Sequence, residues 1–326
     1  MRFQKVIRKS NLDKIELTRN IKQIARDCGF DKAGIAPAKP LSDASLRWWL
    51  ERSYHGGMTF MENFFLERLD PTRLVDGARS VISVAKNYYT PFQHSDDPAV
   101  GLISRYAWGD DYHDVLRPLL QDILLEIQKL VPGTTGRVFI DTAPIMDKLW
   151  AVNAGLGWQG KHSNVITPEY GSWVFLGEIV VDRVLMYDEP IPDYCGTCTR
   201  CIDACPTRAI VEPYVVNAAL CISYLTIELK PECDIPPELA PKLKNLVFGC
   251  DICQEVCPWN KKRARETDLT AFYPRSDNVG LKLEQMLTMS PEEFVRRFRK
   301  SPVKRPKYSG FLRNVKNAVN NYLHSD

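Results

Sequence analysis

The sequence predicts a mixed α+β or α/β chain in three parts, on three observations. Helix-like and strand-like stretches alternate up to about residue 189, the pattern of helices laid on a sheet. Nine of the ten cysteines fall between positions 195 and 257, in an irregular, proline-punctuated stretch. The chain then turns helical and basic, and residues 296–316 hold nine Lys or Arg and no acid. The expected parts are 1–189, an α/β unit; 190–262, a cysteine-rich unit; and 263–326, a small helical basic region.

The elements follow in order. Leu12 to Cys28 carries Ile15, Ile21, Ile24 and Ala25 on one stripe and reads as an amphipathic helix. Phe30 to Pro37 is short and apolar, a strand. Leu46 to Leu50 begins a second helical stretch, His55-Gly-Gly-Met58 breaks it, and Met61 to Leu66 resumes it. The β-branched run Ser80 to Ala85 reads as a buried strand. Gly101 to Tyr112, rich in Gly, Tyr, Trp and Asp, has the composition of a binding loop. Leu116, Leu119, Leu120, Ile123, Leu124, Ile127 and Leu130 mark a helix over Val115–Leu130, stopped by Pro132-Gly133. Gly136 to Thr142 is a short strand ending in an aspartate, Pro144 to Asn153 a helix, and Trp173 to Val181 one long strand or a strand pair. Past Arg265, Leu281–Met286 and Pro291–Phe298 read as helices.

The cysteines carry the chemistry. Cys195, Cys198, Cys201 and Cys205-Pro206 spell C-x2-C-x2-C-x3-C-P, the ferredoxin run that binds an iron–sulfur cluster, whose fourth cysteine in two-cluster ferredoxins serves the other cluster. Cys250, Cys253 and Cys257-Pro258 form a second piece. Two cubane [4Fe-4S] clusters need eight thiolates, and these positions supply seven. The eighth comes from Cys221, Cys233 or Cys28; Cys221 is the choice, because it lies between the two motifs. The middle unit therefore reads as a two-cluster ferredoxin-like module with an insertion, 211–249. The x3-C-P continuation disfavours zinc, which takes its ligands in pairs. Buried structural thiols do not explain the spacing.

Bulk properties narrow the rest. Hydrophobic content of 44% and charged content of 25% are ordinary for a globular protein. The first thirty residues are charged throughout and do not read as a signal peptide. The most apolar stretch, Ser172 to Val181, is too short to span a bilayer. The expectation is a cytoplasmic protein with no membrane partner, in which ten cysteines point to metal rather than disulfides. The net charge of +3 is unevenly spread. The tract 296–316 and a second basic knot, Lys261-Lys-Arg263-Ala-Arg265, suggest a polyanionic partner, against the plainer reading of a solvated surface.

A bare two-cluster carrier needs only residues 190–260, yet about 190 residues precede the clusters. An electron-fed catalytic unit explains them. Asp141, at the end of a predicted strand, is a candidate proton carrier if partial burial raises its pKa; a strand-to-helix cap is the equal alternative. His113 and His162 are candidate proton donors or ligands with no partner at recognisable spacing. Gly155-x-Gly157-x-x-Gly160 matches a nucleotide fingerprint letter by letter but lacks a clear preceding strand, so it is a weak signal.

Taken together, Asp141-Thr-Ala-Pro144, Gly157-Trp-Gln-Gly-Lys161, Ile166-Thr-Pro-Glu-Tyr-Gly-Ser-Trp173, Cys221-Ile-Ser-Tyr-Leu-Thr-Ile-Glu228, the cysteine set and Gly310-Phe-Leu-Arg-Asn314 resemble the epoxyqueuosine reductases over residues 5–320. These are cobalamin-dependent iron–sulfur enzymes of queuosine-tRNA biosynthesis. The resemblance implies an N-terminal cobalamin-binding unit. It implies that two electrons and two protons turn the epoxide of epoxyqueuosine, at the tRNA wobble position, into the alkene and water, through a strongly nucleophilic reduced cobalt. It makes Asp141 the proton donor. It assigns Cys195, Cys198, Cys201 and Cys257 to one cluster, Cys205, Cys221, Cys250 and Cys253 to the other, and leaves Cys28 and Cys233 as ordinary thiols. It places cobalamin against Gly160, Lys161, His162, Ser163, Asn164, Gln254 and Glu255, with no D-x-H-x-x-G histidine below the metal. Lys230, Arg296, Arg297, Lys304, Arg305, Lys307 and Arg313 are the expected tRNA contacts. Some members carry further helical repeats after the Leu-Arg-Asn stretch, and here the remaining basic surface must serve. A flavodoxin- or ferredoxin-type electron donor and a monomeric state are expected. Two other readings stand beside this one: a two-cluster electron-transfer protein, and a cobalamin-dependent reductive dehalogenase-like enzyme, a family with a twin-arginine leader that this sequence lacks.

Overall fold

The structure, a computed structural model, describes residues 13–276 and 278–324. Helix α1, Lys14–Asp27, opens the described chain, capped by the Asp13 carboxylate on the Ile15 amide; Leu12 of the expected helix lies outside the described residues. Strand β1, Lys32–Pro37, follows, then α2, Ala44–Glu51, and α3, Phe65–Leu69. Next come β2, Ser80–Asn87; β3, Leu102–Ile103; α4, Tyr112–Leu130; and β4, Gly136–Phe139. Helix α5, Asp147–Asn153, leads into the hairpin β5, Trp158–Gln159, and β6, Val165–Ile166, and then β7, Val174–Val181.

The central sheet runs β1-β2-β7-β4, and every pairing in it is antiparallel. This settles the α+β and α/β pair on the α+β side. All eight residues of β2 are buried, as its β-branched run requires of a strand covered on both faces. Alternation sorts the faces. Ile82, Val84, Ile179 and Val181 meet Leu17 and Ile21 of α1 and Leu116, Leu120 and Ile123 of α4. Val81 and Val180 meet Trp150 of α5 and Phe139 on the other face. At about 25 cal/mol per Å² of apolar area removed from water, each such core side chain contributes roughly 2 kcal/mol.

The cysteine-rich part holds only short elements: α6, Arg200–Asp203; β8, Ile210–Glu212; β9, Val215–Val216; α7, Ile222–Ile227; β10, Leu246–Phe248; α8, Ile252–Glu255; and α9, Pro258–Arg263. The chain ends in α10, Leu283–Leu287; α11, Pro291–Arg297; and α12, Lys307–Leu323. The three parts share cores. β10 pairs in parallel with β3, and Phe294, Phe298, Phe311 and Val315 pack on Ile103, Trp108, Val247 and Phe248. The expected insertion is likewise seated on the N-terminal part. Trp49 Nε1 donates to the Val216 carbonyl at 2.7 Å, and the Tyr224 hydroxyl accepts from the Gly57 amide at 2.6 Å. Among the described residues, no helix is long and apolar enough to cross a membrane.

The Gly155–Gly160 stretch is not a phosphate loop. It follows a helix and enters a hairpin. Gly155, at φ +70°, ends α5. A Cβ on Gly157 would clash with the Ile166 carbonyl oxygen, so the hairpin itself demands the glycine.

Candidate active site

A cavity of about 460 Å³ opens where the sheet, the Gly101–Tyr112 segment and the cysteine-rich part meet. One wall is apolar, with Tyr106, Tyr112, Val174, Phe175 and Leu176; the opposite wall carries Cys205, Cys221, Cys250 and Cys253. Asp141, Lys148, His162, Ser163, Asn164, Ser172 and Gln254 supply polar groups between them.

Asp141 does not end the strand. β4 stops at Phe139, and Asp141 sits in the following turn at φ +24° with its side chain 42% exposed. The partial burial expected of it is absent. What holds it is the N-terminus of α4. The Asp111 carboxylate caps that helix, accepting from the His113 amide at 3.1 Å and pairing with His113 Nδ1 at 2.7 Å. This presents the first two helical residues to Asp141: His113 Nε2 lies 2.6 Å from Oδ1, and the Tyr112 hydroxyl donates to Oδ2. Burial alone would lower the His113 pKa, but its bonds to Asp111 and Asp141 outweigh that and carry it up to about 9. His113 is therefore an imidazolium at neutral pH, donating from both nitrogens. Tyr112 is kept neutral by burial and by the Asp141 charge. Its ring stacks on Phe175 at 4.4 Å and 9°, which fixes the hydroxyl's direction. The alternative role of Asp141 as a helix cap does not hold, since α5 begins only at Asp147.

The other candidates divide. His162, Ser163, Asn164 and Gln254 line the cavity. Burial lowers the His162 pKa to about 4, so the ring is neutral. Its Nδ1 accepts from the Asn164 amide at 3.2 Å, which leaves a buried Nε2–H with no partner. Gly160 lies beneath, where a Cβ would press on Ile166 and His162. Lys161 faces away from this cavity: its Nζ donates to the Gly196 and Cys198 carbonyls at 2.6 and 3.0 Å. Glu255 faces away as well. It is exposed and pairs with His94 at 3.7 Å and Arg105 at 3.9 Å. Neither expected cobalamin contact is thus met there. Its neighbour Asp251 is buried and fixes the Cys250–Cys253 turn, accepting from Ser104 Oγ at 2.6 Å and the Arg105 amide at 2.7 Å.

A second, smaller cavity of about 190 Å³ is lined by Cys195, Cys198, Cys201 and Cys257, with Lys161, His162, Tyr194 and Trp259. The eight cysteines thus fall in two groups of four around two cavities, and His162 lines both. Cys28 and Cys233 line neither. Burial pushes the Cys201 thiol up to about 11 and raises Cys195, Cys221, Cys250, Cys253 and Cys257 as well, with Cys250 and Cys253 pressed further by the charge of neighbouring thiols, Cys221 among them. The fold by itself disfavours thiolates here. Iron supplies the positive charge that they lack, so the donor set fits two clusters. The apolar wall, the unpartnered His162 Nε2–H and the amides of Asn164 and Gln254 fit a flat macrocycle with polar side arms.

The expected tRNA contacts also divide. Arg313 is not available to a phosphate: its guanidinium donates to the carbonyls of Leu225, Leu229, Lys230 and Cys233 at 2.9–3.3 Å. It is a structural clamp between α12 and the α7 segment. Arg297 pairs with Glu293 at 3.5 Å. Arg305 is bidentate to Glu228, both at 3.0 Å, and feels the charge of Asp141. Lys230, Arg296, Lys304 and Lys307 are exposed, and Arg296, Arg299 and Lys304 line a shallow depression. The sequence reading missed Tyr112 as a partner of Asp141. It also missed Lys148, which lines the cavity and reaches Asn164 Oδ1 at 3.0 Å. The aromatic run ending at Tyr112 was the available signal for the first; nothing marked the second.

Fold and site define an iron–sulfur oxidoreductase with two [4Fe-4S] clusters feeding one cavity. Residues 194–260 match the 4Fe-4S double cluster binding domain, and residues 68–142 match the family described as Epoxyqueuosine reductase QueG, DUF1730. The chain is 48% identical over 303 residues to the epoxyqueuosine reductase of Leadbetterella byssophila, covering 92% of this chain and 97% of the relative. It is 41% identical over 315 residues to that of Escherichia coli, covering 95% and 82%. A crystal structure of epoxyqueuosine reductase with an epoxyqueuosine-modified tRNA-Tyr stem loop superposes at TM-score 0.88 with 32% identity, over 95% of this chain and 82% of that one. A Bacillus subtilis epoxyqueuosine reductase, its catalytic aspartate loop swung out of the active site, gives 0.88 at 29% identity, over the same shares. The chain belongs to the epoxyqueuosine reductase family.

Proposed function

We propose that the chain reduces epoxyqueuosine to queuosine at the wobble position of tRNA, with Asp141 as the group that hands a proton to the opening epoxide. One observation carries the site assignment: Asp141 and the thiols of Cys205, Cys221, Cys250 and Cys253 line the same cavity. The overall change consumes two electrons and two protons, and yields the alkene and water. Cobalamin would be held in the cavity that Phe175 and the inner thiols line, and would supply a strongly nucleophilic reduced cobalt. His162, Ser163, Asn164 and Gln254 are its polar contacts. Cys195, Cys198, Cys201 and Cys257 hold the outer cluster; Cys205, Cys221, Cys250 and Cys253 hold the inner one.

The chain's own residues manage the proton. The imidazolium of His113 and the Tyr112 hydroxyl both point at Asp141. At rest the proton sits on His113, which is charged at neutral pH because its pKa is about 9, and the Asp141 carboxylate takes it up and relays it to the epoxide oxygen. The half-exposed turn lets Asp141 reach outward, the motion named for the Bacillus subtilis relative. The exposed Lys230, Arg296, Lys304 and Lys307 receive the anticodon-arm phosphates. A tRNA substrate, and thiols that must stay reduced to hold iron, support a cytoplasmic reaction. Asp141→Asn tests the role: the variant retains iron and corrinoid spectra and loses at least about a hundredfold in turnover. Turnover at the wild-type rate would remove Asp141 from the mechanism.

A further inference from the structure

The basic knot that follows Cys257 takes no part in the site described above. Its first three cations, Lys261, Lys262 and Arg263, lie on α9, whose first turn lines the outer four-thiol cavity through Pro258 and Trp259. The Lys261 amide bonds back to the Cys257 carbonyl at 3.1 Å. Lys262 is four residues beyond Pro258, and Arg263 four beyond Trp259. The cations therefore rise on the same helical face one turn further out. Lys261, Lys262 and Arg263 are all exposed, as is Arg200, which sits between Cys198 and Cys201. None of the four has an ion pair or side-chain hydrogen bond among the described residues. Two neighbouring carboxylates, outnumbered by the four cations, are held by neutral donors and form no ion pair with them. Asp193 accepts from the Cys195 amide at 2.6 Å and from the Tyr214 hydroxyl, and Asp203 accepts from Thr199 Oγ at 2.7 Å. Amid this unbalanced charge stands one apolar group, the Tyr194 ring, 54% exposed and 6.1 Å from Trp259.

An aromatic centre over a redox group, rimmed by an excess of unpaired positive charge, is the arrangement that steers a transient electron-transfer partner of the opposite sign. The inner four thiols face the substrate cavity, so the outer four are the entry side. We propose that Tyr194, Arg200, Lys261, Lys262 and Arg263 form the docking surface for an acidic one-electron carrier protein. The proposal rests on the reading that Cys195, Cys198, Cys201 and Cys257 hold a cluster. In each encounter the reduced carrier loses one electron and that cluster gains one. Two encounters supply the two electrons of one epoxide reduction. A small, wet and salt-sensitive contact suffices for such an exchange.

The test is the triple variant K261E/K262E/R263E, with K262E alone as the milder form. The cluster-loaded proteins are mixed anaerobically with a reduced acidic flavodoxin, and cluster bleaching is followed by stopped flow. The second-order rate constant falls roughly tenfold or more at low salt, its salt dependence flattens, and reduction by dithionite does not slow. Affinity for tRNA is unchanged. An unchanged rate with flavodoxin overturns the proposal. So does a loss of tRNA affinity without a loss of flavodoxin rate, which would make these cations a nucleic-acid surface. Wild-type protein that binds iron only at the inner four cysteines would instead overturn the cluster reading beneath it.

Discussion

His113→Gln exposes the electrostatic core of the site. In the native protein the ring bridges Asp111 at 2.7 Å and Asp141 at 2.6 Å, and its pKa stands at about 9 against 6.5 for the unperturbed group. Full conversion at about 1.4 kcal/mol per unit gives roughly 3 kcal/mol. The ring is 27% exposed and Asp141 42%, so solvent screening reduces this to about 1 kcal/mol. The sign follows from linkage. The folded-state pKa is raised, so the stabilisation is complete below about pH 6.5 and is lost as pH climbs through about 9. Glutamine keeps the size and one donor but carries no proton to lose. Anaerobic urea unfolding of cluster-loaded wild type and variant, at pH 6 and pH 9.5, reads the difference directly. The other titrating groups cancel between the two proteins. The variant is expected to be destabilised by about 1 kcal/mol more at the lower pH than at the higher. An equal destabilisation at both would refute a charged His113 bridging two carboxylates.

Two further outcomes come from the cysteines and from α12. Cys253→Ser and Cys257→Ser each leave about four iron atoms per chain instead of eight, with the surviving cluster's spectrum differing between the two variants. Identical residual spectra would contradict the two-cavity grouping. Arg313→Ala leaves carbonyls of Leu225, Leu229, Lys230 and Cys233 without their donor. It lowers stability by about 2–4 kcal/mol in denaturant unfolding, while the salt slope of tRNA binding stays as it was. Lys304→Ala does the reverse, leaving stability alone and lowering that slope by about one.

The cysteine chemistry was legible because it is written in local spacing. A run of x2, x2 and x3 with a closing Pro206 fixes the loop that wraps a cluster, and it needs no tertiary knowledge. The helix α4 was legible for the same reason, since its apolar period is local, and so was β2, whose unbroken β-branched run matches burial on both faces. Strand direction was not. The same alternation of elements serves parallel and antiparallel sheets, and the β2–β7 pairing joins residues nearly a hundred positions apart. The site's electrostatics were hidden for a related reason. Asp141 was visible as a residue, but the groups that hold it lie about 28 positions earlier, on a helix end whose cap, Asp111, carries no cue to what it faces. Charge counts misled in one place: Arg313 looks like its basic neighbours in sequence, and only the fold shows its guanidinium spent on backbone carbonyls.

Reduction of the epoxide of epoxyqueuosine on tRNA is the reaction proposed for this cavity. The direct measurement is an anaerobic reaction of the cluster-loaded chain with cobalamin, a low-potential reductant and epoxyqueuosine-containing tRNA, followed by digestion and mass analysis of the nucleosides. The modified nucleoside is expected to lose the mass of one oxygen, and leaving out cobalamin to abolish the change. An unaltered epoxyqueuosine nucleoside, from protein verified to hold both clusters and cobalamin, would contradict that proposal.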